Sequence, residues 1–342
     1  MNMNINTNTN TNTSTSTSTR AIARVRAWPA SPYFTSLVTV LLLLAMLGAG
    51  GLAYPGFLST QVLFNLLIDN AFLLVLAIGM GFVILSGGID LSVGAVLALS
   101  TMLCAYLLQV AHWPAPLVIV TVLLLGSACG ACMGALIHYF ELQAFIVTLA
   151  GMFFARGLCY LVSVESITID DPLFVAMARA QLSLPGGFLS AGAAVALATL
   201  ALAIWLAHYS AFGRAVYAIG GNAQSALMMG LPVGRTRVAV YALSSLCAAG
   251  AGVLFAFYML SGYGLHAQGA ELDAIAAVVI GGTLLAGGYG YIAGALSGVL
   301  VLGAIQTLIA FDGTLSSWWT RIVIGALLFV FCVVQRLLGA TK

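Results

Sequence analysis

Charge is what this sequence has least of. Eleven basic and nine acidic residues make up 6% of 342, where an ordinary soluble domain carries about 25%. So few charges cannot wet the surface of a chain this long, which excludes a soluble globular fold. A net charge of +2 supplies no basic patch for phosphates, so no nucleic acid is expected as a partner. The only lysine is Lys342. A P-loop needs a lysine at the β/γ-phosphates, so the chain cannot hydrolyse ATP by that route, and ATP-driven work demands a separate ATPase.

Catalytic signatures are missing as well. There is no HExxH, no GxSxG and no pair of intramembrane aspartates. His112, His138, His208 and His266 sit at the ends of apolar runs and read as interfacial anchors or caps. The cysteines at 104, 129, 132, 159, 247 and 332 lie inside such runs. Cys129 and Cys132 have CxxC spacing, but no histidine or carboxylate lies close enough in sequence to complete a metal site. They read as small apolar helix residues. No catalytic residue, metal or cofactor is assigned.

What is present is hydrophobicity, at 62% of residues. Ten apolar segments approach the roughly 20 residues that a crossing needs: about 36–54, 64–85, 89–109, 117–137, 144–163, 188–207, 238–260, 271–287, 291–311 and 318–337. They are apolar all round without a two-residue alternation, which predicts helices rather than a barrel. The fold class is therefore all-α, a polytopic protein of the lipid bilayer. Residues 1–19 are nearly all Asn, Thr and Ser and read as disordered. With the basic segment they form a tail over 1–30, followed by one transmembrane domain over 31–342.

Arg20, Arg24, Arg26, Arg214, Arg235, Arg237, Arg336 and Lys342 fall on one side of a ten-pass arrangement. Arg179 falls on the other, with Arg321 at the margin of the last span. The positive-inside rule then puts both termini in the cytoplasm. The eighth segment is short and interrupted by Gly281 and Gly282. A full crossing is expected for it, because a dip and return would export Arg336 and Lys342.

Four patterns are candidates for function. In the inner loop 208–237, Asn222 is a good N-cap and Gly230 a good C′ glycine. They bracket a two-turn helix from Ala223 to Met229 that exposes Ala226, Leu227 and Met229 and is preceded by Gly220 and Gly221. Such a helix lies on the membrane surface or docks into a groove of a partner. Ser86, Gly87, Gly88 and Asp90 form the turn between the second and third segments, where Asp90 caps a helix or belongs to an inner gate. Gly281, Gly282 and Thr283 open a second glycine-rich turn, which either lines a pathway or allows close packing. Asn65 and Asp69, one turn apart, lead into Phe72, Leu76 and Gly79, a polar-then-aromatic stripe suited to sugar hydroxyls and a ring face. Thr148 and Arg156 are further polar groups inside a span, and an interhelix bond or a carboxylate partner is expected for Arg156.

Together GGIDLSVG at 87–94, AFIVTLAGMFFARG at 144–157, the loop at 213–230 and IGGTLLAGGYG at 280–290 resemble the permeases of bacterial ABC sugar importers, the ribose-type branch, from about residue 36 onward. DNAF at 69–72, LVS at 161–163 with ESI at 165–167, ELDAIA at 271–276 and FDGTLSSWW at 311–319 are similar to the galactofuranose-importing members. Tyr289 departs from the arginine that many relatives carry in the glycine-rich turn. The resemblance implies an inner-membrane subunit with three partners: an ABC ATPase, a periplasmic sugar-binding protein, and a second permease subunit that is a sister or a second copy. It implies that 222–230 is the coupling helix and that loops 164–187 and 261–273 face the binding protein. A gradient-driven sugar carrier is the rival reading, with Asp69 and Asp90 as its only ion carriers; an intramembrane enzyme is a second rival, with no signature in support.

Overall fold

A computed structural model of the chain describes residues 34–316 and 318–339, with side chains for 36–316 and 318–333. The polar tail, Arg20, Arg24, Arg26 and Lys342, and the side chain of Arg336, lie outside the described residues.

Helix α1 (Phe34–Ala53) precedes a bent pair, α2 (Thr60–Asp69) and α3 (Ala71–Leu85). The two axes meet at 53°, and Asn70 makes the joint. Its backbone leaves the helical region, while its side-chain amide donates to the Leu66 carbonyl at 3.0 Å. In a lipid-facing bundle a freed carbonyl needs such a partner. Every residue of α3 except Phe72 is buried, as expected of a helix that is apolar all round.

The chain continues through α4 (Val93–Gln109), α5 (Ala115–Tyr139) and α6 (Ala144–Val162). An external excursion follows: strand β1 (Ile167–Thr168), α7 (Pro172–Arg179) capped by Asp171, and the hairpin of β2 (Gln181–Leu184) and β3 (Gly187–Ser190). Next come α8 (Ala191–Tyr209), the short helices α9 (Ala211–Gly221) and α10 (Ala223–Met228), and the long α11 (Val233–Met259). Strand β4 (Ser261–Gly262) pairs antiparallel with β1. Then follow α12 (Ala270–Ile280), α13 (Gly294–Asp312) and α14 (Trp318–Gly339).

Helix α11 is the axis of the bundle, packed on α3, α4 and α5. Gly126, Gly130 and Gly134, four residues apart on α5, meet Ala249, Ser245, Tyr241 and Val238 of α11, and a β-carbon on any of the three would intrude. Small residues at that spacing let two helices approach in a membrane.

Six described helices are long and apolar enough to cross a bilayer, and the bent pair makes a seventh. Of the other expected crossings, 318–337 lies wholly within α14 and 89–109 is helical from Val93 onward, while 271–287 is only partly helical. Helix α12 has 11 residues, about 16 Å at 1.5 Å per residue, half of a hydrocarbon core of about 30 Å. The expected span 271–287 is thus a half-helix flanked by extended and turning chain. Cross-chain contacts nevertheless sort into two faces. On one lie Leu85 with Gly288, Gly220 beside both, and Gly234 against His138. On the other lie Tyr54 with Asp312, Gln61 with Phe188, and Ile169 with Leu260. Leu260 and Gly288 lie at opposite ends of the bundle, so the chain between them runs from one end to the other. Arg214, Arg235 and Arg237 belong to the first face, which the positive-inside rule makes cytoplasmic.

Candidate functional site

The cytoplasmic ends of the two glycine-rich turns and the inner loop meet in one junction. Helix α9 starts at Ser210, whose hydroxyl accepts from the Gly213 amide at 3.0 Å, and it ends on Gly220 and Gly221. Gly220 has backbone on both sides: a β-carbon there would overlap the Leu85 carbonyl oxygen and the Gly288 nitrogen. Gly288, at φ +71°, donates its amide to the Leu85 carbonyl at 2.9 Å. A side chain on it would strike Gly221, so glycine is required here for both conformation and approach. Tyr217 of α9 adds a hydroxyl donated to the Gly290 carbonyl at 2.8 Å. The inner end of α3 is therefore bonded backbone to backbone to the chain entering α13, and the helix that leads into the inner loop packs against both through Gly220 and Gly221 and is tied to them by the Tyr217 hydroxyl.

From this junction α10 projects. Asn222 caps it, its side-chain oxygen accepting from the Ser225 amide at 2.8 Å. The end is a Schellman closure: Leu231 donates to Ala226 and Gly230, at φ +79°, donates to Leu227. The expected surface needs one correction. Ala226 is 0% exposed, seated on Ile219 and Val233, because the short helix folds back over the corner of α9 and α11. Leu227, Met228 and Met229 are 62%, 79% and 69% exposed and form the knob, with Ala223 half-buried at its base.

The turn after α3 is pinned to α11. Ser86 is buried and donates to the Val83 carbonyl at 2.8 Å. Gly87 is at φ +80°, and Gly88 lies under the Tyr241 ring, whose hydroxyl donates to the Ile89 carbonyl at 3.3 Å. Asp90 is 0% exposed. One carboxylate oxygen accepts from the Ser92 amide at 2.9 Å and the Ser92 hydroxyl at 2.6 Å; the other accepts from the Ser244 hydroxyl at 2.8 Å. Asp90 is not the N-cap of α4, a position held by Ser92; it ties the turn across to α11. Asp90→Ala should cost about 2–4 kcal/mol, because it strands two buried hydroxyl donors and an amide. Asp90→Asn, which keeps the shape and one acceptor, should cost less than half of that. Chemical unfolding of the purified chain, followed by tryptophan fluorescence, measures both.

The second turn is also spent on packing. Ile280 and Gly281 carbonyls accept from Thr39 and Ser36 of α1, the latter at 3.4 Å. Gly281 abuts Gly294, Gly282 sits at φ +101°, and Thr283 is buried against Gly290.

The polar stripe is shorter than expected. Asn65 accepts from Gln61 at 2.8 Å, and Asp69 accepts from the Tyr258 hydroxyl at 3.1 Å. Phe72 lies edge-to-face on Phe255 at 4.8 Å. Beyond Phe72 the stripe stops: Leu76 is buried and Gly79 is wedged on Ser244 and Cys247. The cavity beside Phe72 and Tyr258 measures about 40 Å³, room for a water or two and no sugar. Thr148 is buried and donates to the Ala144 carbonyl of its own helix at 2.8 Å.

Among the described residues Arg156 makes its hydrogen bonds to neither a carboxylate nor a helix. It donates to the Gly264 and His266 carbonyls at 2.6 and 2.8 Å, tying that turn to α6. Residues 261 and 262 pair with β1 of the 164–187 loop, and His266 lies 3.4 Å from the Thr101 hydroxyl and edge-on to Phe255. Single-residue reasoning missed Asn70, Tyr217, Tyr241 and Ser244. Among these, only Asn70, a polar residue within an apolar run, had a readable signal.

Residues 62–332 match the family described as branched-chain amino acid transport system / permease component. The chain is 52% identical over 284 residues to the inner membrane ABC transporter permease protein YjfF of Escherichia coli K12, covering 83% of this chain and 86% of that one. It is 38% identical to the fructose import permease protein FruG of Bifidobacterium longum (88% and 90% covered) and 33% identical to the ribose import permease protein RbsC of Escherichia coli K12 (88% and 92%). No solved structure matches the chain.

Proposed function

Because this chain belongs to the branched-chain amino acid transport system / permease component family, it is a multi-pass inner-membrane transport subunit and not an enzyme, and we propose that it passes a monosaccharide, galactofuranose or a similar sugar, delivered by a periplasmic binding protein and driven by a separate ABC ATPase. Three observations support the reading. Relatives matching over most of their length are named as an inner membrane ABC transporter permease and as fructose and ribose import permeases. The chain has no lysine for a P-loop. The observation that carries it is the junction: an exposed knob of Leu227, Met228 and Met229 fastened to the inner ends of two spans.

The cycle follows from that geometry. A loaded binding protein docks on the outer excursion around α7 and β2–β3. ATP closes the ATPases, which grip α10. A shift of α9 carries Gly220 against Leu85 and Gly288, so both glycine turns move with it. The turn holding Ser86, Gly87, Gly88 and Asp90 and the turn holding Gly281, Gly282 and Thr283 together form the inner gate, while Asn65, Asp69 and Phe72 line the outer approach and Thr148, one turn into α6 from its inner end, lies on the inner side of the path. Nucleotide and docked protein bind the two states unequally, and that difference drives the exchange. A second permease, either a sister or another copy, completes the pore.

The test is uptake in cells that lack their own sugar permeases and express this chain with its ATPase and binding protein. Radiolabelled ribose, xylose, fructose, galactose and leucine are offered separately. One sugar should accumulate, and accumulation should vanish when the ATPase is omitted. Uptake that persists without the ATPase and collapses with a protonophore overturns the reading in favour of a gradient-driven carrier; uptake of leucine alone overturns the sugar.

A further inference from the structure

A cavity of about 500 Å³ opens on the external side between α12, α13 and α14. Its size falls within the roughly 300–1,000 Å³ of small-molecule sites. Four polar side chains converge on it from three helices: Asp273 of α12, Gln306 of α13, and Thr320 and Arg321 of α14. Ile309 and Ile324 supply apolar wall. Arg321 donates to the Gln268 carbonyl at 3.2 Å, and its charge acts on Asp273.

Resting on the importer reading above, we propose that this cavity is the permease's own sugar subsite on the external approach. A carboxylate accepts from sugar hydroxyls, a guanidinium and an amide donate to hydroxyl oxygens, and the threonine hydroxyl does either. The charges nearly cancel, so the site selects for hydrogen-bonding capacity and not for a net ion. The two isoleucines suit the C–H face of a ring. Helix α12 gives the subsite a mechanical role. Asp273 stands in its first turn, while its last carbonyl, Ile280, is bound by Thr39 at the level of the inner glycine turn. A half-helix of 11 residues therefore runs from the solute-facing wall to the gate, and rearrangement of that gate moves Asp273 away from the sugar.

The experiment uses the complete importer in cells, with the binding protein saturated, and compares the transported sugar with its monodeoxy analogues. The binding protein is the same in every arm, so a changed preference among analogues belongs to the permease. Asp273→Asn and Gln306→Ala should each lower uptake of the parent sugar about tenfold, the scale of a lost hydrogen bond to a charged or well-placed group. The analogue lacking the hydroxyl that faces the altered residue should fall less than about twofold, a non-additivity that a structural role does not produce. Membrane levels are checked by immunoblot. If either variant is poorly inserted, Asp273→Glu or Gln306→Asn replaces it with the same analogue series and the same expectation. Parallel loss across all analogues, or no loss at all, overturns the subsite while leaving the importer reading intact. Absence of uptake of every sugar by the wild-type importer defeats the importer reading itself, and the subsite with it.

Discussion

Leu227→Asp with Met228→Asp will bring ATP-driven uptake down to background, a loss of at least about a hundredfold if each side chain is an anchor worth about 2 kcal/mol in the ATPase groove. Both side chains are more than half exposed, so folding should be little affected, with stability changed by no more than about 0.5 kcal/mol per site. The knob is apolar and short; a charge at its centre has to be desolvated on docking without a partner. Two measurements separate docking from folding: co-purification of the ATPase with the permease, which should be lost, and the thermal melt of the purified chain, which should not move. Ala226→Asp is the informative contrast. Ala226 is seated on Ile219 and Val233, so that variant should damage the fold of the loop first. Uptake at the wild-type rate in the double variant would remove the coupling assignment.

Gly220→Ala should be nearly as severe for a different reason. The added methyl has nowhere to go, because the Leu85 carbonyl and the Gly288 amide already occupy the space. Either α9 backs away from the junction or the Gly288–Leu85 hydrogen bond opens; the overpacking costs about 1–3 kcal/mol. The strain falls where three segments must move together, so uptake should drop by at least tenfold while the ATPase still co-purifies. Gly157→Ala is the control, since no atom lies near the position its methyl would take on α6; uptake there should stay within about twofold. If Gly220→Ala transports normally, the junction is not the link between α10 and the spans.

Much of this was readable one residue at a time. Asn222 and Gly230 bracket α10 because capping and a positive φ are local requirements, and the structure places both where the chain alone predicts. Ala226 went the other way. A helix of two turns looks equally exposed all round until its neighbours are known, and only α9 and the start of α11 decide which face is covered. The stripe from Asn65 to Gly79 is interrupted beyond Phe72 for a related reason. A helical repeat counts positions along one straight axis, and a 53° bend ends that axis without any proline or glycine to announce it.

Scarcity of charge and ten apolar runs determined by themselves that this chain lives in a bilayer, and the lone lysine that it carries no P-loop. These are consequences of composition, and composition acts through solvation, which needs no knowledge of contacts. The tertiary structure alone decided that Gly220, Leu85 and Gly288 share one point, that Asp90 is bound to Ser244, and that Asp273, Gln306 and Arg321 face one cavity. Each of these joins residues dozens to hundreds of positions apart, and lipid-phase packing of small residues, which is blind to sequence distance, brings them together.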